Sequence, residues 1–504
     1  MITGLTDKIK SKNILFGSIF FIIFLILCLN VFDWIIDDLY IYFRYVNNFT
    51  NGEGIVFNKG VQVEGFSSFS WFMLLSLFNV IGLPLELTAK ITGLIFVLLS
   101  LICLFKICNE SGMSGLFLPA VCLMLFNLPF ILWAVSGFEL MLFIFILLLC
   151  FLMVNRLNSE SIYNFPLTFL IFFLSVSRPE GVIFSVGFII FIYIFSGSKS
   201  LSLKHTAGYL ILFSSFLVFR LIYFGEFLPN TYFAKIGHDI VGYYEFRTYK
   251  NGIFYILYFL KSNPQFVLFI LLLPFVFKRI KINKVFLMTF SIIALQFFFI
   301  IFSGGDWMVQ YRFAVVSIPF LSIGIMIMVN ELTFSEMVSN SMVKVLIILI
   351  FTVSALSLTV ADRTIINKEI LLWNNLKTES ANLKNDIPPG SIAANGSSGI
   401  IPYYLSEVTF IDIVGLTDKH IAKEGYRHGT WFERSLPEYV YSLDPEWLIM
   451  WKKKNADGIF TFEDASPCYI DMAENENFSK YEFYKDYNLY SDVKIELYKK
   501  IIQP

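Results

Sequence analysis

The sequence predicts an all-α polytopic membrane domain of about eleven transmembrane helices, followed by a small α/β soluble domain outside the membrane. Three observations carry this. Hydrophobic residues fill 57% of the 504 positions and charged residues only 15%, with a mean hydropathy of +0.69; a soluble globular chain is nearer half apolar and a quarter charged. Apolar runs near the roughly 20 residues needed to cross a bilayer recur as far as residue 361. Beyond that point the composition turns polar, with Pro388, Pro389, Pro402, Pro437 and Pro445 punctuating it. Residues 1–362 therefore read as the transmembrane domain and 363–504 as the soluble one.

The apolar runs fall near 13–32, 84–105, 115–133, 138–154, 165–177, 181–196, 205–224, 264–278, 284–302, 313–330 and 343–361, with a shorter piece near 68–82. The first follows Lys8, Lys10 and Lys12 and lacks a small-x-small cleavage site, so it reads as an uncleaved helix rather than a secretory signal. Lys/Arg bias sets orientation. The three N-terminal lysines, and Lys278, Arg279, Lys281 and Lys284, mark cytoplasmic ends. Alternating outward from the second group puts 177–180, 225–262, 303–312 and everything after 361 outside. Eleven crossings keep the N-terminus cytoplasmic, so the 68–82 piece is expected to lie on or dip into the outer leaflet. In the soluble part, SIAANGSSGIIPYYL, VTFIDIVG and PEWLIMW read as strands or strand–turn–helix pieces, and SDVKIELYKK as a terminal strand.

A net charge of -1 argues against a nucleic-acid partner. Five of the six cysteines (Cys28, Cys103, Cys108, Cys122, Cys150) lie in or beside apolar runs, leaving Cys468 without a partner for a disulfide in the polar domain. His205, His238, His420 and His428 show no metal-ligand spacing, which speaks against a zinc site. Two adjacent carboxylates, Asp37 and Asp38, could hold a divalent cation, but nothing demands one, and no other cofactor is implied.

Asp37 and Asp38 stand in WIIDDLYIYFRYVNNFTNGEGIVFNKGVQVEGFSSFS, residues 34–70, just where the first apolar helix leaves the bilayer. A carboxylate costs about 2.5–3.5 kcal/mol at the bilayer centre and less at its edge; the edge is also where a lipid head group sits. Other polar motifs gather in the expected outer loops: Glu139 in SGFE, Arg178 and Glu180 in SRPEG, Asn230 and Lys235 in PNTYFAK, and Asp306 and Arg312 in GGDWMVQYR. Short polar motifs on one membrane face suggest a shared site.

The first-loop motif resembles the first outer loop of the mycobacterial terminal arabinofuranosyltransferases and their bacterial relatives. SGFE, RPEG, PNTYFAK and GGDWMVQYRF follow in that family's order, and IPYYLSEVTFIDIVGLTDKHIA is similar to its C-terminal motif. The likeness runs in pieces from about residue 34 to 422, although the Ala/Arg-rich composition of mycobacterial members is missing. It implies a GT-C glycosyltransferase in the bacterial cytoplasmic membrane. Such an enzyme takes one sugar from a polyprenyl-phosphate donor on the outer face and passes it to a glycan or glycolipid acceptor.

An inverting transfer needs a carboxylate to take the acceptor's proton, worth about 10²–10⁴-fold, and cationic or amide groups to meet the departing phosphate. Asp37 or Asp38 is the expected base. On a helix, Asp37, Tyr40, Ile41 and Arg44 share one face, while Asp38, Ile41, Tyr42 and Tyr45 share another, so one carboxylate reaches the acceptor and the other orients. The bland alternative is an N-cap. Arg44 would bind phosphate or pair with Asp37; Glu64 would orient a sugar hydroxyl or pair with a loop cation. Glu139 either favours a helix dipole or binds acceptor. Arg178 could hold phosphate bidentately, with Pro179 at the first position of the next helix. Glu180, Asn230, Tyr232, Lys235, Asp306, Trp307 and Arg312 complete the candidate substrate-binding set. The soluble domain would meet acceptor glycan through exposed aromatics such as Trp431. Two other classes stay open: a transporter of lipid-linked sugars, expected to show charged residues or broken helices at the midplane, and a non-catalytic glycan-binding membrane protein.

Overall fold

The computed structural model describes residues 2–235, 243–276, 283–334, 340–360, 363–427 and 434–501; Lys278, Arg279, Lys281, His238, His428 and Trp431 fall outside these. The chain is mostly helical, 66%, with a small C-terminal sheet. Among the described residues, five helices are long and apolar enough to cross a membrane: Ser11–Leu29, Leu85–Glu110, Lys199–Phe224, Lys284–Ser303 and Ser341–Leu358. Two bent pairs raise that number to seven if each is one span, and five further apolar helices are shorter, at 10–17 residues.

Both bent pairs depart from the sequence reading. The run 115–133 is not one straight helix; its halves, Ser114–Leu125 and Leu128–Val135, meet at 71°. Asn127 is extended there, its side chain accepting the Phe130 N–H at 3.0 Å, with a proline in the first turn beyond. An N-cap followed by Pro129 starts a new helix rather than continuing the old one. Likewise 225–262 is not a plain loop. It holds the helices Asn230–Lys235 and Tyr243–Ser262, and Tyr249–Ser262 turns through 103° into Pro264–Val276. Pro264 follows Asn263, which is non-helical, and lacks the N–H that would carry the ladder across.

The chain forms two compact units. The first comprises Met1–Phe32, Ala89–Ser214 and Gly242–Asp362; the second comprises Asp33–Thr88, Ser215–Val241 and Arg363–Pro504. In the first unit, helices approach through small residues. A Cβ on Gly252 would stand 2.5 Å from both the Ile300 carbonyl oxygen and the Ile301 Cα, so only glycine lets Tyr243–Ser262 lie this close to Lys284–Ser303.

Among its described residues the second unit has eight strands: β1 (Ile392–Asn395), β2 (Thr409–Asp412), β3 (Tyr426–Arg427), β4 (Arg434–Ser435), β5 (Trp447–Lys454), β6 (Phe460–Thr461), β7 (Tyr481–Tyr490) and β8 (Val493–Lys500). The main sheet runs β2-β1-β5-β8-β7, with β6 on β5, while β3 and β4 pair separately. β1 is parallel to both β2 and β5; the β5–β8 and β7–β8 pairs are antiparallel. Strands covered on both faces read as continuous apolar runs, as Trp447–Met450 does, all four residues buried. Ile411, Ile413, Ile421, Val440, Leu448 and Met472 are among its core. The apolar piece near 68–82 is the helix Phe69–Val80 of this unit; twelve residues rise only about 18 Å, too short to span. All six cysteines are buried, and none is joined in a disulfide.

Candidate functional site

The predicted residues gather in two groups, one inside each unit. In the second unit the chain leaves the first apolar helix and reaches Asp37 and Asp38 immediately before the helix Leu39–Thr50. The N-cap alternative fails for their own helix: Asp38 occupies the cap position without a side-chain cap hydrogen bond. Asp37 instead accepts from the loop after β1, with the Gly399 N–H donating to Oδ2 at 3.0 Å and the Ile400 N–H to Oδ1 at 2.7 Å. That loop, NGSSG, joins β1 to the short helix Ile400–Tyr404. It lies at the carboxyl end of β1, where the strand order reverses between β2 and β5; such switch points open the crevices of parallel sheets. Asp37 is buried, and burial pushes its carboxyl up to about 6 against the Ile400 N–H, with the adjacent Asp38 adding to the rise. Asp38 is half-buried.

Gly399 is the residue this contact depends on. An added Cβ would fall 1.9 Å from the Asp37 carbonyl oxygen and 2.8 Å from its Cγ. No side chain fits between loop and carboxylate.

Arg44 is bound neither to Asp37 nor in a place facing solvent, contrary to both sequence readings. It is buried, with Nε donating to the Phe57 carbonyl at 2.8 Å, Nη1 to the Pro402 carbonyl and Nη2 to the Val408 carbonyl at 2.9 Å. A guanidinium has five fixed donors and suits a ring of carbonyls. Here it ties the first loop to the sheet domain. Burial pulls its pKa down to about 9, still charged at neutral pH. Asn58 acts alongside, its amide donating to the Phe410 carbonyl at 2.7 Å and accepting the Phe410 N–H at 3.0 Å, so it pairs with edge strand β2 as another strand would.

Glu64, open between two roles, pairs with Arg220 at 2.9 Å rather than with a loop cation; burial raises its pKa and the arginine opposes that. Asn230 donates to the carbonyls of Gly415 and Leu416 at 2.8 and 3.0 Å, holding PNTYFAK against the C-terminal motif. Tyr40 donates to Glu86 at 2.6 Å. Tyr232 is 40% exposed, and Lys235 is half-buried in the last turn of its helix. Asp412, in VTFIDIVG, accepts from the N–H groups of Val414 and Thr417 at 3.1 and 2.7 Å, and burial pushes it too up to about 6.

In the first unit, SGFE, RPEG and GGDWMVQYR converge. Arg178 bridges Glu139 through Nη1 at 2.5 Å and Glu180 through Nε at 2.6 Å, all three buried. Glu139 stands at the N-terminus of its helix without a side-chain cap hydrogen bond and meets Arg178 through one oxygen, the other having no hydrogen-bond partner. Pro179 is not the first helical residue, because the helix begins at Gly181, whose missing Cβ lets it sit against the Leu174 carbonyl. Arg312 grips Asp306 through Nε at 2.7 Å and Nη2 at 3.1 Å, and both Arg178 and Arg312 lie over the Phe313 ring. Trp307 is 52% exposed.

Among the described residues no group of three His, Cys, Asp or Glu side chains could hold a metal ion. A family model for a domain of unknown function, DUF8728, matches residues 369–498. No curated protein matches the chain.

Sequence reasoning passed over Gly399, Asn58 and Asp412. The signal for Gly399 was present: a glycine-flanked NGSSG turn between a strand and a helix start. Nothing local marks Asn58, since its partner lies 352 residues away.

Proposed function

We propose that this protein is an inverting GT-C-type glycosyltransferase of about eleven crossings in the bacterial cytoplasmic membrane, with its soluble domain on the outer face. It would move one sugar from a polyprenyl-phosphate donor to an envelope glycan or glycolipid. The observation that carries the reading is the unequal treatment of the acidic pair. Asp37 has both oxygens held by main-chain N–H groups, whereas Asp38 is half-buried beside it. Asp37 is therefore the orienting residue, and Asp38 takes the acceptor's proton as its oxygen attacks the anomeric carbon.

The polyprenyl-phosphate leaves as an anion and needs a cation. We assign that role to Lys235, which stands in the last turn of the helix Asn230–Lys235 in the same unit as Asp37 and Asp38. A prenyl tail gains about 0.8 kcal/mol per buried CH₂ and stays in the bilayer, which favours a membrane-embedded enzyme with its base at the rim.

Transport of lipid-linked sugar is the second reading, because the two sharply bent helix pairs are the kind of broken segment that transporters use. Mass spectrometry of surface glycans from a deletion strain, paired with the lipid-linked sugar pool on each leaflet, separates the two. Loss of one sugar from the glycan with donor accumulating on the outer leaflet supports transfer. Accumulation on the inner leaflet supports transport.

A further inference from the structure

A shallow cavity of about 360 Å³ in the first unit is lined by Asn251, Phe254, Tyr255, Tyr258, Gly304 and Asp306. The close approach at Gly252 sets this helix beside the Gly304–Asp306 turn. Phe254 and Tyr258, one helical turn apart, stack with centroids 6.1 Å apart and are 41% and 56% exposed. Tyr255 is fixed at the cavity's base. A Cβ on Gly305 would touch its ring at 2.9 Å, and its hydroxyl accepts the Phe313 N–H at 3.2 Å. Asn251 is exposed at one side, and Asp306, held by Arg312, closes the other.

We propose that this cavity is a saccharide subsite, with the apolar C–H face of one sugar ring on Phe254 and Tyr258 and its hydroxyls on Asn251 and Asp306. The inference rests on the glycosyltransferase reading for its ligand class. An alkyl chain in the same place would cover the exposed Asn251 amide while giving it no hydrogen bond, which is unfavourable. An ammonium group would suit the aromatic faces, but the Asp306 charge is already balanced by Arg312. A hydroxyl-bearing ring uses both the faces and the acceptors.

Saturation-transfer NMR on the full chain in nanodiscs tests this. The probes are the methyl glycosides of arabinofuranose, glucose, mannose and galactose, with farnesol and tetramethylammonium as competitors of other chemistry. Saturation should pass to the ring protons of at least one glycoside at millimolar concentration. It should weaken about fivefold in Tyr258→Ala and Asn251→Ala, and persist in Asp38→Asn. Three results overturn the subsite: no transfer to any glycoside, transfer unchanged in both cavity variants, or preferential saturation of farnesol or tetramethylammonium. If glycosides bind and the cavity variants weaken them, yet Asp38→Asn still transfers sugar at the wild-type rate, the catalytic reading fails and the subsite stands.

Discussion

At the scale of single residues, the contact between Asp37 and the Gly399–Ile400 main chain couples the first loop to the sheet domain. Gly399→Ala forces a methyl group into the Asp37 carbonyl, so the loop or the acidic pair must move. That variant should melt several degrees below the wild type and lose most of the proposed sugar transfer; an unchanged melting temperature would remove the assigned contact. Asp37→Asn is a subtler change, since an amide offers one acceptor oxygen where the carboxylate offered two. One buried N–H, of Gly399 or Ile400, then loses its partner at a cost of about 1–3 kcal/mol. The sequence exposed Asp37 and Asp38 because two carboxylates following an apolar helix are conspicuous. It could not divide their roles, because the partners of Asp37 lie 362 and 363 residues further on.

At the scale of elements, two buried carboxyls give the second unit a pH-dependent stability. Asp37 and Asp412 both stand near 6 when folded, against an ordinary 3.8. The folded state therefore holds these protons more tightly than the unfolded chain. Their contribution is complete below about pH 4 and is lost as the pH rises through 6, amounting to about 3 kcal/mol for each group. Melting curves from pH 4.5 to 7.5 should show the wild type losing stability over that window and Asp412→Asn losing less; parallel profiles would contradict it. In the first unit, Arg178 reaches two carboxylates through different nitrogens of one plane. Arg178→Lys offers a single point charge and cannot reproduce that fork. Arg178→Ala strands two buried carboxylates, and losing one member of a buried ion cluster costs about 3–5 kcal/mol. Both variants should melt lower than the wild type, with alanine the worse; a lysine variant that melts with the wild type would show that the fork is not needed. Helices were legible from apolar runs and the bend at Asn127 was not, since Asn127 caps a new helix inside a run that otherwise reads as one apolar segment.

At the scale of the molecule, the segment 369–498 that matches the domain family does not make up its unit alone. Arg44 and Asn58 bind its main chain, and Asp37 completes the loop after β1. Residues 363–504 expressed alone should aggregate or melt far below a version fused to 33–88. Equal stability of the two would show that the first loop is dispensable. The composition change near residue 362 was visible in sequence. The return of 33–88 and 215–241 into the same unit was not, because long-range hydrogen bonds leave no periodic trace.

The most direct test is sugar transfer from a polyprenyl-phosphate donor by reconstituted protein carrying Asp38→Asn, Asp37→Asn or both. Asp38→Asn should fall by 10²-fold or more while melting like the wild type, and Asp37→Asn should lose rate. Full transfer by Asp38→Asn and by the double variant would contradict the account.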